Sequence, residues 1–382
     1  MAAPADVLIV GAGPAGSIAA LTLARAGATV RVIDRARFPR DKLCGDTVNP
    51  GSLALLDRVG LGTDVRLRGI PVRGMMVTGP NGARVVADYP TDITGVALTR
   101  RVFDQVLIDA ALAAGAEFDD GVGVLRPLVV DSGAVTGVAV RCGSAEYDLR
   151  ARVVIAADGR GSRMGSLLGL SGFGRRPRRW AFGAYYEGVA NLSARGEMHV
   201  RAGEYIGIAP LAHGVANVCV VRELQRESGV ETLERALAAD ALLRGRFVQA
   251  RRVSDISVLG PLAVDAHGAG RAGLLLAGDA AGFVDPMTGD GLRFALRGGV
   301  LAAEHALREI ETGVPQYDRL GAARRREFAG KWRVNRALRT LVGSPAAVAG
   351  AARIAAWCGL PVRSLVALAG DVGLAREAME RL

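Results

Sequence analysis

Three glycines near the start of the chain have the spacing of a pyrophosphate-binding loop. They lie in the stretch Gly11-Ala12-Gly13-Pro14-Ala15-Gly16, directly after the apolar run VLIV. The first glycine permits a tight turn, the second lets the backbone approach a pyrophosphate, and the third allows a helix to pack closely on a strand. Asp34 ends the next apolar run, where a carboxylate can accept hydrogen bonds from a ribose. This pattern predicts a dinucleotide site but does not by itself choose between NAD and FAD.

Two later stretches place an Asp beside a Gly at the end of an apolar run. They are Ala157-Asp158-Gly159-Arg160 and Ala277-Gly278-Asp279-Ala280, and the latter continues to Asp285-Pro286-Met287-Thr288-Gly289-Asp290-Gly291. Open α/β sheets bind ligands outside the carboxyl ends of their strands. Either stretch alone would be an ordinary turn, but all three stretches in this order indicate one extended cofactor site.

The elements around these stretches predict an α/β fold with a β-rich insertion. VLIV, a helix at 14–26 and a strand at 29–34 form a βαβ unit. Further helices are predicted at 50–59, 101–114, 291–310 and near 230–247, and further strands at 121–130, 134–142, 146–156 and 273–279. We therefore expect a Rossmann-like cofactor domain from 1–65, 99–165 and 265–310, a β-rich substrate domain from 66–98 and 166–264, and a helical C-terminal region at 311–382.

Composition narrows the classes of partner. The net charge of +10 is carried almost entirely by scattered arginines, so no nucleic-acid partner is expected. The four cysteines and four histidines form no ligand pattern, which predicts no metal site and a reduced, cytoplasmic protein. No uncharged apolar run is long enough to cross a membrane. Contact of the basic segment 324–333 with an anionic surface stays open beside plain solvation. The oligomeric state is left open.

Together the three stretches resemble the FAD-binding architecture shared by the para-hydroxybenzoate hydroxylase-type flavoprotein monooxygenases and the geranylgeranyl reductases, over residues 5–310. The resemblance implies that the glycine loop and Asp34 hold the ADP part of FAD and that Asp279 reaches the ribityl chain and phosphates. Arg100, in TRRVFDQVL, matches an arginine that helps to hold the cofactor, and Asp158 belongs to a fingerprint linked to FAD and nicotinamide binding. The residues expected to bind FAD non-covalently are Gly11, Ala12, Gly13, Pro14, Ala15, Gly16, Asp34, Arg35, Arg40, Gly45, Arg100, Asp158, Gly278, Asp279, Pro286, Gly289, Gly291 and Leu292.

The loop 286–292 is expected to lie under the flavin ring. The helix predicted after it would direct its positive N-terminal end at the flavin's pyrimidine edge, which stabilises the anionic reduced form. Pro286 and the glycines would let the backbone approach the ring. Asp290 would oppose that field if it faced the ring, so we expect it to point away.

The stretch FPRDKLCGD, residues 38–46, resembles the geranylgeranyl reductase branch, in which a Cys-Gly pair lies near the flavin. Gly45 would give the backbone room beside the ring, and Cys44 would face the substrate side and assist proton delivery. A small buried packing residue is an equally good interpretation of Cys44. Arg40 and Lys42 are candidates for phosphate contact or for plain solvated charge, and Arg40 is the better phosphate candidate.

One stretch departs from the lipid-saturating reductases, which carry a Tyr-x-Trp-x-Phe-Pro motif along the substrate cavity. Here Tyr205 and Pro210 remain, but Gly207 and Ala209 stand at the Trp and Phe positions. The loss of two large side chains predicts a wider cavity that accepts a bulkier, ring-containing substrate.

The expected protein is an FAD-dependent oxidoreductase that takes electrons from transiently bound NAD(P)H. The first expectation is hydroxylation of a hydrophobic small molecule by reduced flavin and O₂ in a dry pocket. The alternative is reduction of isoprenoid double bonds, and a third class is a flavoprotein that only binds a lipid or a partner. The absence of a CxxxxC pair disfavours the pyridine-nucleotide disulfide reductases, and the absence of a WxWxIP-type stretch disfavours the flavin halogenases.

Overall fold

The computed structural model describes residues 5–174, 179–224, 228–342 and 344–379. The described residues form the α-helices α1 (Pro14–Arg25), α2 (Pro50–Arg58), α3 (Gly62–Arg68), α4 (Arg100–Ala113), α5 (Arg163–Leu167), α6 (Gly229–Ala239), α7 (Gly291–Thr312), α8 (Tyr317–Val342), α9 (Pro345–Trp357), α10 (Leu360–Ala369) and α11 (Val372–Met379). Short 3₁₀ helices cover Pro80–Gly82, Ala212–Gly214, Gly278–Ala281 and Pro286–Thr288.

The same ranges contain the strands β1 (Ala5–Val10), β2 (Val30–Asp34), β3 (Thr47–Val48), β4 (Ile70–Val72), β5 (Gly74–Thr78), β6 (Arg84–Asp88), β7 (Gly95–Ala97), β8 (Glu117–Asp120), β9 (Val122–Val129), β10 (Val135–Cys142), β11 (Ala145–Ala156), β12 (Ser171–Phe173), β13 (Arg179–Glu187), β14 (Gly196–Arg201), β15 (Glu204–Pro210), β16 (Val215–Glu223), β17 (Arg251–Arg252), β18 (Ser257–Leu259), β19 (Val264–Ala266), β20 (Gly270–Arg271) and β21 (Leu274–Leu276).

The first sheet has the order β20-β21-β11-β1-β2-β8 and is parallel from β21 to β8. Strand β1 lies between β2, which follows it in the chain, and β11, which comes much later. The connections on the two sides of β1 therefore run in opposite directions, and the carboxyl end of β1 is where such sheets bind ligands. Helices α1, α4 and α7 pack on one face, where apolar residues such as Ile9, Leu107 and Ala302 are fully buried. The predicted α/β fold with a Rossmann-like half is confirmed.

The second sheet has the order β17-β13-β16-β15-β14-β5-β6, with β18 on the outer side of β13. It joins strands from the two predicted β-rich segments, because β14 pairs in parallel with β5. Helix α6 covers part of one face and seals a separate core around Ile206, Val218 and Leu233. The domain boundaries themselves stay a prediction.

The predicted helix near 230–247 is wrong at its C-terminal end. Helix α6 stops at Ala239, and Asp240 adopts an extended conformation. The Asp240 carboxylate accepts hydrogen bonds from the backbone N–H groups of Leu242 and Leu243, at 2.9 and 3.2 Å. This local turn replaces further helix, because a short acidic side chain competes for backbone donors.

The C-terminal residues are helical, as predicted. Helix α8 packs against α7. Helices α9 and α10 lie over the second sheet near β5 and β6, whereas α11 packs against α2. Within the described residues, no single helix combines the length and apolar composition needed to cross a membrane.

Candidate active site

The glycine loop connects β1 to α1 with a geometry that side chains would block. Gly11 has φ +102°, and a Cβ there would lie 2.5 Å from the carbonyl oxygen of Ala157. A Cβ on Gly16 would overlap the carbonyl oxygen of Gly11. Gly13 precedes Pro14 at the start of α1, where no side chain caps the helix. The first N–H groups of α1 are therefore available to an anionic ligand.

Asp34 lies at the carboxyl end of β2 and holds this loop in place. One carboxylate oxygen accepts the Ala12 N–H and the other accepts the Ala36 N–H, both at 2.8 Å. Carboxylate oxygens accept more than one hydrogen bond, so this arrangement still allows a ribose hydroxyl to bind. Arg35 follows on the exposed surface beyond the sheet.

Arg40 and Arg100 meet at one buried carboxylate. Asp104 is fully buried and accepts from Arg100 Nε and Nη2 at 2.7 and 2.8 Å, and it lies 3.0 Å from Arg40 Nη2. Burial by itself lowers the pKa of the Arg100 guanidinium, but the interactions with Asp104 and Cys44 together outweigh burial, so that this pKa is raised. Arg40 also lies against the glycine loop, 3.3 Å from where a Gly13 Cβ would stand. The two arginines form a fixed positive wall beside the loop.

A cavity of about 200 Å³, named here the cofactor cavity, opens between the glycine loop and α7. Its lining includes the predicted site residues Gly13, Pro14, Ala15, Cys44, Gly45, Arg100, Gly278, Asp279, Pro286, Gly289, Gly291 and Leu292, together with Lys42, Gly159 and Arg160. The other predicted FAD-binding residues, Gly11, Ala12, Gly16, Asp34, Arg35, Arg40 and Asp158, are not in this lining.

Two cations in this lining suit a diphosphate. Loss of hydration, together with the nearby charge of Arg100, lowers the pKa of Lys42. Arg160 Nη1 is buried and has no hydrogen-bond partner among the described residues, while its Nε lies 3.9 Å from Asp279. A buried donor without a partner is costly, and a bound phosphate would satisfy it. The residues present therefore fit a dinucleotide.

Asp158 lies behind the cavity and organises its rim. One oxygen accepts the Arg163 N–H at 2.8 Å and the Met164 N–H at 3.4 Å. Burial raises the pKa of this carboxyl, and its other oxygen has no partner among the described residues. Asp158 thus ties the loop after β11 to the start of α5.

The start of α7 faces the cofactor cavity through Gly291 and Leu292. Asp290 turns away from the cavity, and its carboxylate lies 2.5 Å from Lys331 Nζ on α8. This orientation is the predicted one, and it leaves the positive end of α7 uncovered toward the cavity. Upstream, Tyr205 donates a hydrogen bond of 2.6 Å to Asp285, which also accepts the Met287 N–H. These bonds join β15 to the loop 286–289.

Cys44 borders the cofactor cavity on the side of the second sheet. Its thiol interacts with the Arg100 guanidinium, and its carbonyl accepts a hydrogen bond of 2.9 Å from Asn217. Beneath it, Asp46 is buried and accepts from Tyr185 Oη at 2.8 Å and from Asn217 Nδ2 at 2.6 Å. Burial raises the pKa of Asp46 to about 6, against the opposing effect of these hydrogen bonds. Burial also raises the pKa of Cys219 to about 12, so Cys219 remains a thiol.

A second cavity of about 290 Å³, the apolar cavity, lies between the second sheet and helices α8 to α10. It shares Gly45, Thr47, Met198, Gly207, Cys219, Pro286 and Gly289 with the cofactor cavity, so the two spaces meet. Gly207 lies at the junction, and a Cβ there would have 3.9 Å to its nearest neighbour. Ala209 lines the apolar cavity, whereas Tyr205 borders only the cofactor cavity. Pro210 ends β15 opposite Ala216 and lies in neither of the two linings.

Over residues 4–326 the sequence matches the family described as FAD binding domain. The chain belongs to the FAD-binding domain family. It is 34% identical over 320 residues to digeranylgeranylglycerophospholipid reductase 2 of Methanopyrus kandleri, covering 80% of this chain and 78% of that protein. It is 32% identical over 331 residues to menaquinone reductase of Mycolicibacterium smegmatis, covering 78% of this chain and 76% of that protein. The protein is an FAD-dependent oxidoreductase, as predicted.

The flavin-dependent brominase Bmp2 matches with a TM-score of 0.79 and 21% identity, covering 99% of each chain. That likeness shows the shared fold alone. Among the described residues, no group of three or more His, Cys, Asp or Glu side chains is placed to hold a metal ion.

Several site residues were not predicted from the sequence. Asp104 stands four residues after Arg100, so helical spacing could have identified the pair. Asp46 directly follows the Cys-Gly pair, but its partner Asn217 is 171 positions away in the sequence. Lys42, the second choice for phosphate contact, lines the cofactor cavity, whereas Arg40 is engaged by Asp104.

Proposed function

We propose that the protein saturates carbon–carbon double bonds in the isoprenoid tail of a lipid, with FAD reduced by NAD(P)H. The observation that supports this proposal is the apolar cavity and its junction with the cofactor cavity at Gly45, Gly207 and Cys219. A long apolar tail can lie in the first space while one of its double bonds reaches the second. The two relatives are a digeranylgeranylglycerophospholipid reductase and a menaquinone reductase, and both names describe the reduction of a lipid.

Bound and reduced, FAD supplies the two electrons and one of the two hydrogens that an alkene reduction needs. The chain must hold the FAD, exclude water and supply the second hydrogen as a proton. Lys42 and Arg160 hold the cofactor's phosphates in this proposal. Apolar side chains around Met198, and the helices that cover the apolar cavity, exclude water from the reacting bond.

The proton comes from Cys44 Sγ in this proposal. Cys44 lies in the lining of the cofactor cavity, and the Asn217 amide holds its backbone carbonyl. The Arg100 guanidinium interacts with this thiol from the cofactor side. The alkene thus gains two hydrogens, and solvent returns the proton to Cys44 after each turnover.

Hydroxylation of a ring-containing substrate is a second candidate. Gly207 and Ala209 leave the cavity junction wide, which favours a bulkier substrate than a linear tail alone. A quinone that carries an isoprenoid tail would fit both features, because its tail suits the long apolar cavity and its ring suits the wide junction.

The test replaces Cys44 by Ala and measures product formed per NAD(P)H consumed. Proton transfer by a positioned group contributes about 10²–10⁴-fold to a rate. Formation of the saturated lipid product should therefore fall by at least two orders of magnitude, while FAD binding and reduction of the flavin by NAD(P)H persist. Cys142→Ala, which removes an exposed cysteine, is the matched control. Unchanged product formation by Cys44→Ala would exclude the thiol as proton donor, and oxygen-dependent product would favour hydroxylation.

A further inference from the structure

Helices α9 and α10 form a bent pair with an apolar outer surface. Their axes differ by 107° at a short break. Trp357 is 91% exposed at the end of α9, and Leu360, which is 66% exposed, begins α10. Ile354 and Leu368 extend this surface on either side. Single exposed apolar residues are ordinary, but four of them within residues 354–368, including a tryptophan, indicate an interaction surface. We call residues 354–368 the apolar bend.

The inner surface of the same helices covers the apolar cavity. Val348 and Ala352 of α9, and Leu365 and Val366 of α10, line that space. The two helices therefore have apolar side chains on both sides, with the proposed substrate space beneath and solvent above. A helix that is apolar on two faces requires a second apolar environment.

Charge identifies that environment. Between Glu327 and Asp371 the chain contains six Lys or Arg residues and no Asp or Glu, and all of these cations except the buried Lys331 are at least partly exposed. Arg353 and Arg363 are exposed on the two limbs of the bend. Apolar and aromatic side chains flanked by arginines suit the headgroup region of an anionic membrane. Such a surface attracts each nearby cation by about 1 kcal/mol.

The limbs are too short to cross a bilayer. Helix α9 has 13 residues and α10 has 10, and at about 1.5 Å per residue neither spans a hydrocarbon core of about 30 Å. The C-terminal end of α10 is also fixed in place. The Ala369 carbonyl accepts a hydrogen bond of 2.9 Å from Asn49 Nδ2, which precedes α2, and Lys331 Nζ of α8 lies 2.9 Å from Asp371. The bend can therefore dip into a membrane surface while its C-terminal end stays anchored.

We propose that the apolar bend inserts into the headgroup region of an anionic bilayer, with Trp357 and Leu360 deepest and Arg353 and Arg363 at the phosphates. The lipid substrate then enters the apolar cavity beneath α9 and α10 directly from the bilayer. The proposed membrane contact depends only on the features of the apolar bend. The proposed entry of the lipid substrate from the bilayer also depends on the proposed function.

The test measures binding of the FAD-loaded full chain to vesicles by co-sedimentation. Vesicles of phosphatidylcholine alone are compared with equimolar phosphatidylcholine and phosphatidylglycerol. The wild type should bind the anionic vesicles preferentially and lose binding at high salt. Trp357→Ser and Leu360→Ser should each weaken binding about 10-fold, since each removes one large apolar side chain from the membrane. Val248→Ser, at an apolar position 72% exposed on another part of the surface, should bind like the wild type.

The vesicle assay tests membrane binding independently of the proposed reaction, since it uses no NAD(P)H and measures no lipid product. Absent binding, or equal binding by Trp357→Ser and the wild type, would overturn it. Concentration-dependent dimers that Trp357→Ser abolishes, without vesicle binding, would assign the bend to a second copy of the chain instead. If the entry route is correct, Trp357→Ser should slow turnover of lipid in vesicles but not of lipid in detergent micelles.

Discussion

Replacing Asp46 by Asn should change how the stability of the protein depends on pH. Asp46 is buried beneath Cys44, and burial raises its pKa from 3.8 to about 6 despite the hydrogen bonds from Asn217 and Tyr185. The folded state therefore holds a proton that the unfolded chain releases between these two values. Across that interval the free energy of unfolding falls as the pH rises, because the unfolded state binds fewer protons than the folded state.

The two pKa values differ by about 2 units, which corresponds to about 3 kcal/mol at 1.36 kcal/mol per unit. The decrease in the free energy of unfolding begins near pH 4 and is complete somewhat above pH 6. Asn cannot ionise, so the free energy of unfolding of the variant lacks this decrease. Its amide nitrogen would face the Arg100 N–H, which lies 3.3 Å from the Asp46 carboxylate, and this contact adds an offset that does not depend on pH.

The assay is denaturant unfolding of wild type and Asp46→Asn at a fixed FAD concentration, at steps from about pH 4 to about pH 8. The stability of the variant relative to the wild type should rise by about 3 kcal/mol across this range. Asp41→Asn, which removes an exposed carboxylate from the same loop, controls for the change in net charge. Parallel curves for Asp46→Asn and wild type would refute the reasoning, because they would show that Asp46 ionises alike in both states.

Three further substitutions test the site. Gly16→Ala should abolish FAD binding, because its Cβ would overlap the glycine-loop backbone, and flavin absorbance after gel filtration measures this loss. The control Gly161→Ala, where a Cβ meets nothing within 4 Å, should retain FAD. Lys42→Met should raise the FAD dissociation constant about 10-fold to 100-fold by removing a charged hydrogen-bond donor from the cofactor cavity, and the same change at the exposed Arg37 should leave it unaltered. Gly207→Trp should keep FAD but narrow the cavity junction. Turnover of ring-bearing substrates should therefore fall more than turnover of linear isoprenoid lipids, as measured when the two substrates compete in one reaction.

Local patterns predicted the fold and the glycine loop well, because periodicity and glycine spacing act over a few residues. The direction of Asp290 was also predictable, since a carboxylate facing the start of α7 would oppose the helix dipole. The group around Asp46 was not predictable, because Tyr185 and Asn217 come from strands of the second sheet, 139 and 171 positions away. The surroundings of Arg40 and Lys42 were not predictable either, because the buried Asp104 that engages Arg40 lies on α4, whereas Lys42 borders the cavity.

Product analysis under nitrogen tests the central claim most directly. The FAD-loaded protein is supplied with NAD(P)H and an isoprenoid lipid in detergent micelles, with and without oxygen, and the product mass is measured. Reduction of a double bond predicts that each turnover adds two hydrogens to the lipid and that turnover continues without oxygen. A product that carries an oxygen atom from labelled O₂, together with no turnover under nitrogen, would contradict the claim and identify a hydroxylase.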